Sequence, residues 1–464
     1  MTEKQTVKAR YFGNRAFYKT ALTVALPIMA QNFITNLVSM LDNLMVGALG
    51  TEQMSGVSIV NQLVFIFNLA IFGAMSGVGI FTAQYYGKED QEGIRHTLRF
   101  KLILALSISA LALGIMLSLH DPLINMFLHS STDGGDLALT LSYGKDYLYV
   151  IVWGLLPFAL TQVLASSMRE TGNTFTPMAA GFGAVAVNCL FNYLLIFGKF
   201  GFPEMGVRGA ALATVLSRFC ELITLIVYLI VRRSRFPYLH GAFKSLYVPG
   251  ERVGAFLRKG MPLFVNELLW SAGMSALNVA YSFHGLNAVA ANSIAGTVFN
   301  LFSIACLSMG VAIGIIAGRL LGANKHEEAV DSVRKLIVFS MFLSLIVMAL
   351  MIFGGTAVTA LYKTSPESKA LAAYFIRVDG LIMPLIAFAN AAYFTLRSGG
   401  KTMVTFLFDS VFMWAVSVPV AFALTLLFRL EIHTVFAIVA SLDFLKCIVG
   451  YLMLKNKVWV RTIV

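Results

Sequence analysis

Along almost the whole chain, apolar residues run unbroken for long stretches and then give way to short charged or Gly/Pro-containing turns. A bilayer-spanning helix needs roughly 20 predominantly apolar residues. Twelve stretches of that kind occur, near 20–46, 55–83, 100–119, 145–168, 177–198, 207–231, 255–281, 288–317, 334–361, 370–396, 403–428 and 432–454. Membrane β-strands would alternate apolar and polar residues over about ten positions, whereas LILALSISALALGIML stays apolar for longer than that. The pattern predicts an all-α polytopic membrane protein with twelve transmembrane helices. No small-residue cleavage signature follows the basic start of the chain, so the first span is expected to stay in the mature protein.

The pattern also repeats. An offset of 235 pairs Pro27 with Pro262, Asn43 with Asn278, Ser58 with Ser293, Phe67 with Phe302, Gly79 with Gly314 and Gly87 with Gly322, without a gap. Further on, MRETGNT at 168–174 matches LRSGGKT at 396–402, offset by 228. Each half holds six spans, and six is even, so both halves enter the membrane from the same side as parallel repeats. The expected organisation is an N-terminal six-helix lobe (1–231), a cytoplasmic linker (232–254) and a C-terminal six-helix lobe (255–464), able to rock about a central cleft.

Composition agrees: 58% of residues are apolar and 12% charged, against about 25% charged in a soluble domain. With the N-terminus in the cytoplasm, 26 Lys and Arg fall on the cytoplasmic side and 7 outside. The positive-inside rule then expects a multi-pass inner (plasma) membrane protein with both termini cytoplasmic. The formal charge of +12 is expected to face anionic membrane lipid, and no nucleic-acid partner is expected. Cys189, Cys220, Cys306 and Cys447 show no paired spacing, and no HExxH, CxxC or nucleotide loop occurs. Neither an enzyme nor a cofactor is indicated.

An ionisable group in hydrocarbon costs upward of about 2.5 kcal/mol, so each one needs a partner or a task. Glu221 has Arg218 three residues before it and Asp443 has Lys446 three residues after, so each pair can neutralise itself on one helix face. Asp42, Glu267 and Asp409 have no basic residue three or four positions away. They depend on another helix, a proton or a cation. Asn188 and Asn192 share a helix face and would form an oxygen-rich site with Asp42, or else simply join helices. Offset by 235, Glu267 answers to Asn32, so the two halves differ in charge there. The residues Gly310, Gly314, Gly318 and Gly322 lie four apart, a ridge that another helix can approach closely. A surface for flat lipophilic cations is available from Phe65, Met75, Tyr281, Phe299, Met309 and Tyr393 through stacking and cation–π contact. Each of these also fits ordinary core or lipid-facing packing.

LPIMAQN at 26–32, MLDNLMVGALG at 40–50, NCLFNYLLIFG at 188–198, GMPLFVNELLW at 260–270 and LRSGGKT at 396–402 together resemble the multidrug and toxic compound extrusion (MATE) family over nearly the whole chain. The resemblance implies a secondary antiporter that exports lipophilic or cationic organic compounds in exchange for Na+ or H+ by alternating access, with a monomer sufficient for the mechanism. It implies coupling roles for Asp42, Asn188, Asn192 and Glu267, all possible Na+ ligands. One branch of the family carries an aspartate at the position of Asn192, and the sodium-coupled branch carries a further acid near Ala387 and Phe388; this chain has neither. The competing reading is a flippase for a lipid or lipid-linked oligosaccharide, whose anionic headgroup would call for several intramembrane Arg or Lys residues.

Overall fold

The computed structural model describes residues 11–125, 136–360, 362 and 364–464. Lys4, Lys8, Arg10 and Lys363 of the charge count lie outside them. Twelve long helices account for the twelve apolar stretches, and there is no strand among the described residues. They are α1 (Arg15–Gly47), α2 (Thr51–Gly87), α3 (Gln91–Ser118), α4 (Leu137–Glu170), α5 (Phe175–Phe197), α6 (Gly206–Val231), α7 (Gly250–Ser282), α8 (Leu286–Gly322), α9 (His326–Ala360), α10 (Pro366–Ser398), α11 (Thr402–Leu427) and α12 (Ile432–Lys455). Eleven are long and apolar enough to cross a membrane. The remaining one, α7, matches them in length but carries Glu251, Arg252, Arg258, Lys259 and Glu267.

Local chemistry explains where these helices stop and bend. The Ser365 hydroxyl accepts the Ser368 amide at 3.1 Å to start α10, with Pro366 in the first turn, where its missing N–H costs nothing. Gly198 ends α5 in the left-handed region, at φ +61°. In α4 the turn Val152–Gly154 tightens to a 3₁₀ geometry just before Pro157, whose ring would clash with the carbonyl four residues back. In α11 the helix instead widens, into π turns at Leu407–Val411, Met413–Ser417 and Ala423–Leu427, the second of them just before Pro419.

Packing groups the helices into two units, and the division is not the one made by the repeat. One contains the described residues up to Met29, then Ala83–Asp90 and Leu257–Val464; the other contains Ala30–Thr82 and Gln91–Phe256. In the first, Ala21, Val24 and Ile28 of α1 pack with Met309 and Ile313 of α8, Leu336 of α9 and Trp459. The last turn of α2 lies against the last turn of α8. A Cβ on Gly87 would overlap the Arg319 carbonyl, and one on Gly322 would overlap the Gln84 carbonyl. The ridge of glycines on α8 thus serves two neighbours, because Gly310 and Gly314 admit Asn390 and Phe394 of α10.

In the second unit the 232–249 segment is docked rather than free. Arg99 of α3 donates to the carbonyls of Ala242 (2.9 Å), Gly241 (2.9 Å) and Tyr247 (3.0 Å). One guanidinium therefore satisfies three carbonyls that have no ladder of their own. Phe236, Tyr238 and Ala242 of the segment are buried.

Candidate coupling site

The second unit assembles a polar cluster around α5, whose Asn188 and Asn192 are buried on one face. Asn192 Nδ2 donates to Asp42 Oδ1 of α1 at 2.5 Å and to Asn188 Oδ1 at 3.2 Å. Asn188 in turn donates to Thr214 Oγ1 of α6 at 3.3 Å. Asp42 is half-buried and makes no ion pair among the described residues. The Arg218 charge reaches it through space, but that guanidinium is paired with Glu221 at 3.4 Å and lies 5.0 Å over the Phe158 ring. Asn192 Oδ1 is buried and bonded to nothing among the described residues. A buried amide oxygen without a donor is costly. Beside a carboxylate and a second amide oxygen, it suits a hard cation. The sequence reading joined Asp42, Asn188 and Asn192. It did not find Thr214, or Tyr147 of α4, whose hydroxyl donates to Asn61 at 3.1 Å within reach of the Asp42 charge.

Glu267 belongs to the first unit and has a different set of neighbours. There the hub is Asn266, fully buried on α7. Its Nδ2 donates to Tyr393 Oη at 3.3 Å and to Asp409 Oδ2 at 3.1 Å. Its Oδ1 accepts the Ser410 hydroxyl at 2.7 Å and the Ser410 amide at 3.3 Å. Ser410 lies in the first π turn of α11, so the widened helix presents a backbone N–H to a neighbouring side chain. Asp409 finds its missing base on α12, with Lys446 at 3.6 Å; Lys446 also pairs with Asp443 at 3.2 Å, as the spacing predicted. Glu267 itself has neither an ion pair nor a hydrogen bond among the described residues.

The aromatic and methionine residues named from the sequence divide by burial. Phe65 is 45% exposed, while Met75, Tyr281 and Met309 lie in packed interiors at 3%, 6% and 1%. Tyr281 packs 5.6 Å from the Phe436 ring. Phe299 and Tyr393 are half-buried, the first beside the core and the second bonded to Asn266.

One charge in the second unit escaped the sequence reading. Lys101, counted there on the cytoplasmic side at the edge of the 100–119 span, is fully buried and pairs with Glu170 at 2.5 Å, with Ser166 Oγ at 3.1 Å. Gly79 makes the room, since a Cβ there would overlap the Glu170 carboxylate. Breaking such a pair strands a charge: Glu170→Gln is expected to cost about 3–5 kcal/mol, and Lys101→Met with Glu170→Leu to recover most of it. Thermal unfolding of the detergent-solubilised protein measures both.

Comparison with known proteins now decides the family. The MatE profile matches the chain twice, at residues 27–194 and 262–423. The chain belongs to the MatE family. The two matches begin at 27 and 262, the same register as the offset of 235 read from Pro27 and Pro262, so the MatE domain is present as a tandem pair. Among curated MATE relatives, the probable multidrug resistance protein NorM of Thermotoga maritima is 27% identical over 412 residues, 89% of this chain and 86% of that one. The multidrug resistance protein PmpM of Pseudomonas aeruginosa is 25% identical, covering 89% and 85%. An outward-facing multidrug resistance MATE transporter superposes with a TM-score of 0.85 at 20% identity, over 99% of both chains. A MOP superfamily transporter from Pyrococcus furiosus gives 0.84 at 19%, over the full length of both. At such identities the structural likeness establishes the fold. MATE proteins are membrane transporters of multidrug efflux, a class that is not enzymatic, and this chain is a multi-pass member.

Proposed function

We propose that this MATE protein is a secondary antiporter that exports lipophilic, often cationic, organic compounds in exchange for Na+ or H+, by alternating access between its lobes at 1–231 and 255–464. The observation that carries this reading is the Asp42 site: a carboxylate with no ion pair among the described residues, next to a buried amide oxygen that finds no donor among them. A carboxylate so placed takes up a proton or a cation and gives it back when its surroundings change. Oxygen ligands of this kind favour Na+ over soft or transition metals. Glu267, also without an ion pair among the described residues, is the candidate group in the other half, although the repeat aligns it with Asn32. The names of the curated relatives support drug-like cargo.

Three bases of the spans are already neutralised within the chain, which speaks against an anionic headgroup as cargo. Lys101, Arg218 and Lys446 each pair with a carboxylate of this chain, Glu170, Glu221 and Asp443 respectively. The protein sits in the inner membrane with both termini and the 232–254 linker on the cytoplasmic side, the orientation that the basic residues favour. Cysteine-accessibility labelling is expected to find that linker inside the cell, and labelling from outside would overturn the orientation.

The direct test is transport by the purified protein in liposomes. Ethidium is expected to move against an imposed Na+ gradient or an imposed pH gradient and to stop when the gradient is collapsed. Equal movement with neither gradient would overturn antiport.

A further inference from the structure

The repeat places one arginine in the same position twice. MRETGNT and LRSGGKT align Arg169 at the end of α4 with Arg397 at the end of α10. In the first half, Arg169 donates to Gln31 at 3.3 Å and stands within the fields of Glu170 and Glu221. In the second half the aligned neighbour of Arg397 is Ser398 instead of a glutamate. Arg397 is 8% exposed, its guanidinium lies 5.1 Å from the Phe394 ring centre, and its Nη1 is buried without a hydrogen-bond partner among the described residues. A buried guanidinium nitrogen left empty is a costly arrangement. Such a nitrogen calls for an explanation, and another arrangement of the same side chains that fills it is one.

The group missing its partner on the other side is Glu267. Charges whose fields reach it are Arg397 of α10 and Asp409 of α11, and Asp409 is already held by Lys446 of α12 and Asn266 of α7. Tyr393, one helical turn before Arg397, is bonded through its hydroxyl to Asn266, the residue before Glu267, is in hydrogen-bond contact with Arg397 and stands within the field of Glu267. The remaining base is therefore Arg397, and the remaining acid is Glu267. The first half has Asn32 at the place of Glu267, where its arginine already has acidic neighbours, so an acid and an arginine with an unfilled nitrogen occur together in one half only.

We propose that Arg397 is the resident counter-cation of Glu267: it moves onto the carboxylate when Glu267 releases its cation and is displaced when a cation or cationic substrate arrives. Arg397 is then a positioning residue, touching neither ion nor cargo, that keeps the emptied lobe electrically compensated while it reorients. The proposal rests on the antiport reading of Glu267 given above. It predicts competition: any cation loading Glu267 must displace an internal one.

The experiment uses the full chain in liposomes and reads the Na+ or H+ concentration that gives half-maximal ethidium exchange. Removing the competitor in Arg397→Gln is expected to lower that concentration about tenfold and to slow turnover at saturation, because release is no longer assisted. Arg397→Lys, which keeps the charge, is expected to stay within about threefold of the parent. In a Glu267→Gln background, where coupling is lost, Arg397→Gln is expected to lower the unfolding temperature less than it does in the parent, whereas a merely structural arginine would cost the same in both. Should Arg397→Gln fail to fold, adding Glu267→Gln restores folding if the two are partners; failure of that rescue overturns the proposal. A half-saturation unchanged in Arg397→Gln, with coupling abolished by Glu267→Gln, removes the role of Arg397 and leaves antiport standing. Coupling that survives Glu267→Gln removes both.

Discussion

Asp42→Asn is expected to abolish gradient-driven export of ethidium while leaving the protein folded. The substituted amide keeps the shape and still offers an oxygen to Asn192 Nδ2, which now donates to Asp42 Oδ1 at 2.5 Å. What disappears is the formal charge. A unit charge about 4 Å from a cation contributes about 4 kcal/mol at an effective dielectric constant near 20. At about 1.4 kcal/mol per factor of ten, cation occupancy falls roughly a thousandfold. Asn192→Ala, which removes one neutral oxygen and one donor, is expected to weaken coupling about tenfold, in line with the smaller worth of a neutral hydrogen bond. The measurement is initial dye flux in liposomes under each imposed gradient, with unfolding temperature read in parallel. Coupled flux in Asp42→Asn equal to that of the parent would remove this site from the mechanism.

The helices and their duplication were legible in the sequence because both depend on contiguous residues. A run such as LILALSISALALGIML admits one structure in hydrocarbon, where each backbone group must be satisfied within its own segment. The offset of 235 survived because proline kinks and glycine approaches recur at fixed places along a helix. The Asp42, Asn188 and Asn192 cluster was also legible, since a four-residue spacing fixes the shared face of two amides.

Partnerships between helices were less legible, because they depend on how each helix is turned about its axis. Asp409 has no base within one turn in sequence, yet Lys446 lies 3.6 Å away on α12. Asn266 was overshadowed by Glu267 beside it, although Asn266 makes the bonds that tie α7 to α10 and α11. Lys101 read as a residue at a span edge. Its burial depends on Gly79 and Glu170 from two other helices, which no local pattern reveals. One signal was present and unused: the alignment of MRETGNT with LRSGGKT already placed Arg169 and Arg397 at equivalent positions with unequal acidic surroundings.

Gly322→Val is expected to open the contact between the ends of α2 and α8. A Cβ at 322 would overlap the backbone carbonyl of Gln84, and a carbonyl fixed in a helix has no rotamer through which to retreat. The two helix ends must separate, and overpacking of this sort costs about 1–3 kcal/mol or more. Gln84 is the keystone of the region. It is fully buried, donates to the carbonyls of Ser398 at 2.9 Å and Arg461 at 3.2 Å, and accepts the Ile463 amide at 2.8 Å. Thr462 bonds the Leu321 carbonyl at 2.7 Å, one residue before the substituted glycine, and Trp459 is buried at 2%. Moving α8 away from Gln84 therefore strains these bonds together, each worth about 1 kcal/mol net. A cysteine placed at Ser398, 3% exposed in the parent, serves as the reporter in a background with the four native cysteines replaced. Its reaction with a water-soluble maleimide is expected to rise about tenfold in Gly322→Val, the change that a shift of roughly 1.4 kcal/mol in the opening equilibrium produces. Gly314→Ala is the control, because the atom nearest its new Cβ, at 3.3 Å, belongs to the Phe394 ring, which can turn aside. Labelling should then stay near the parent rate. Equal labelling in the valine variant and the parent would mean that the close approach of the two helices does not hold this end of the bundle shut.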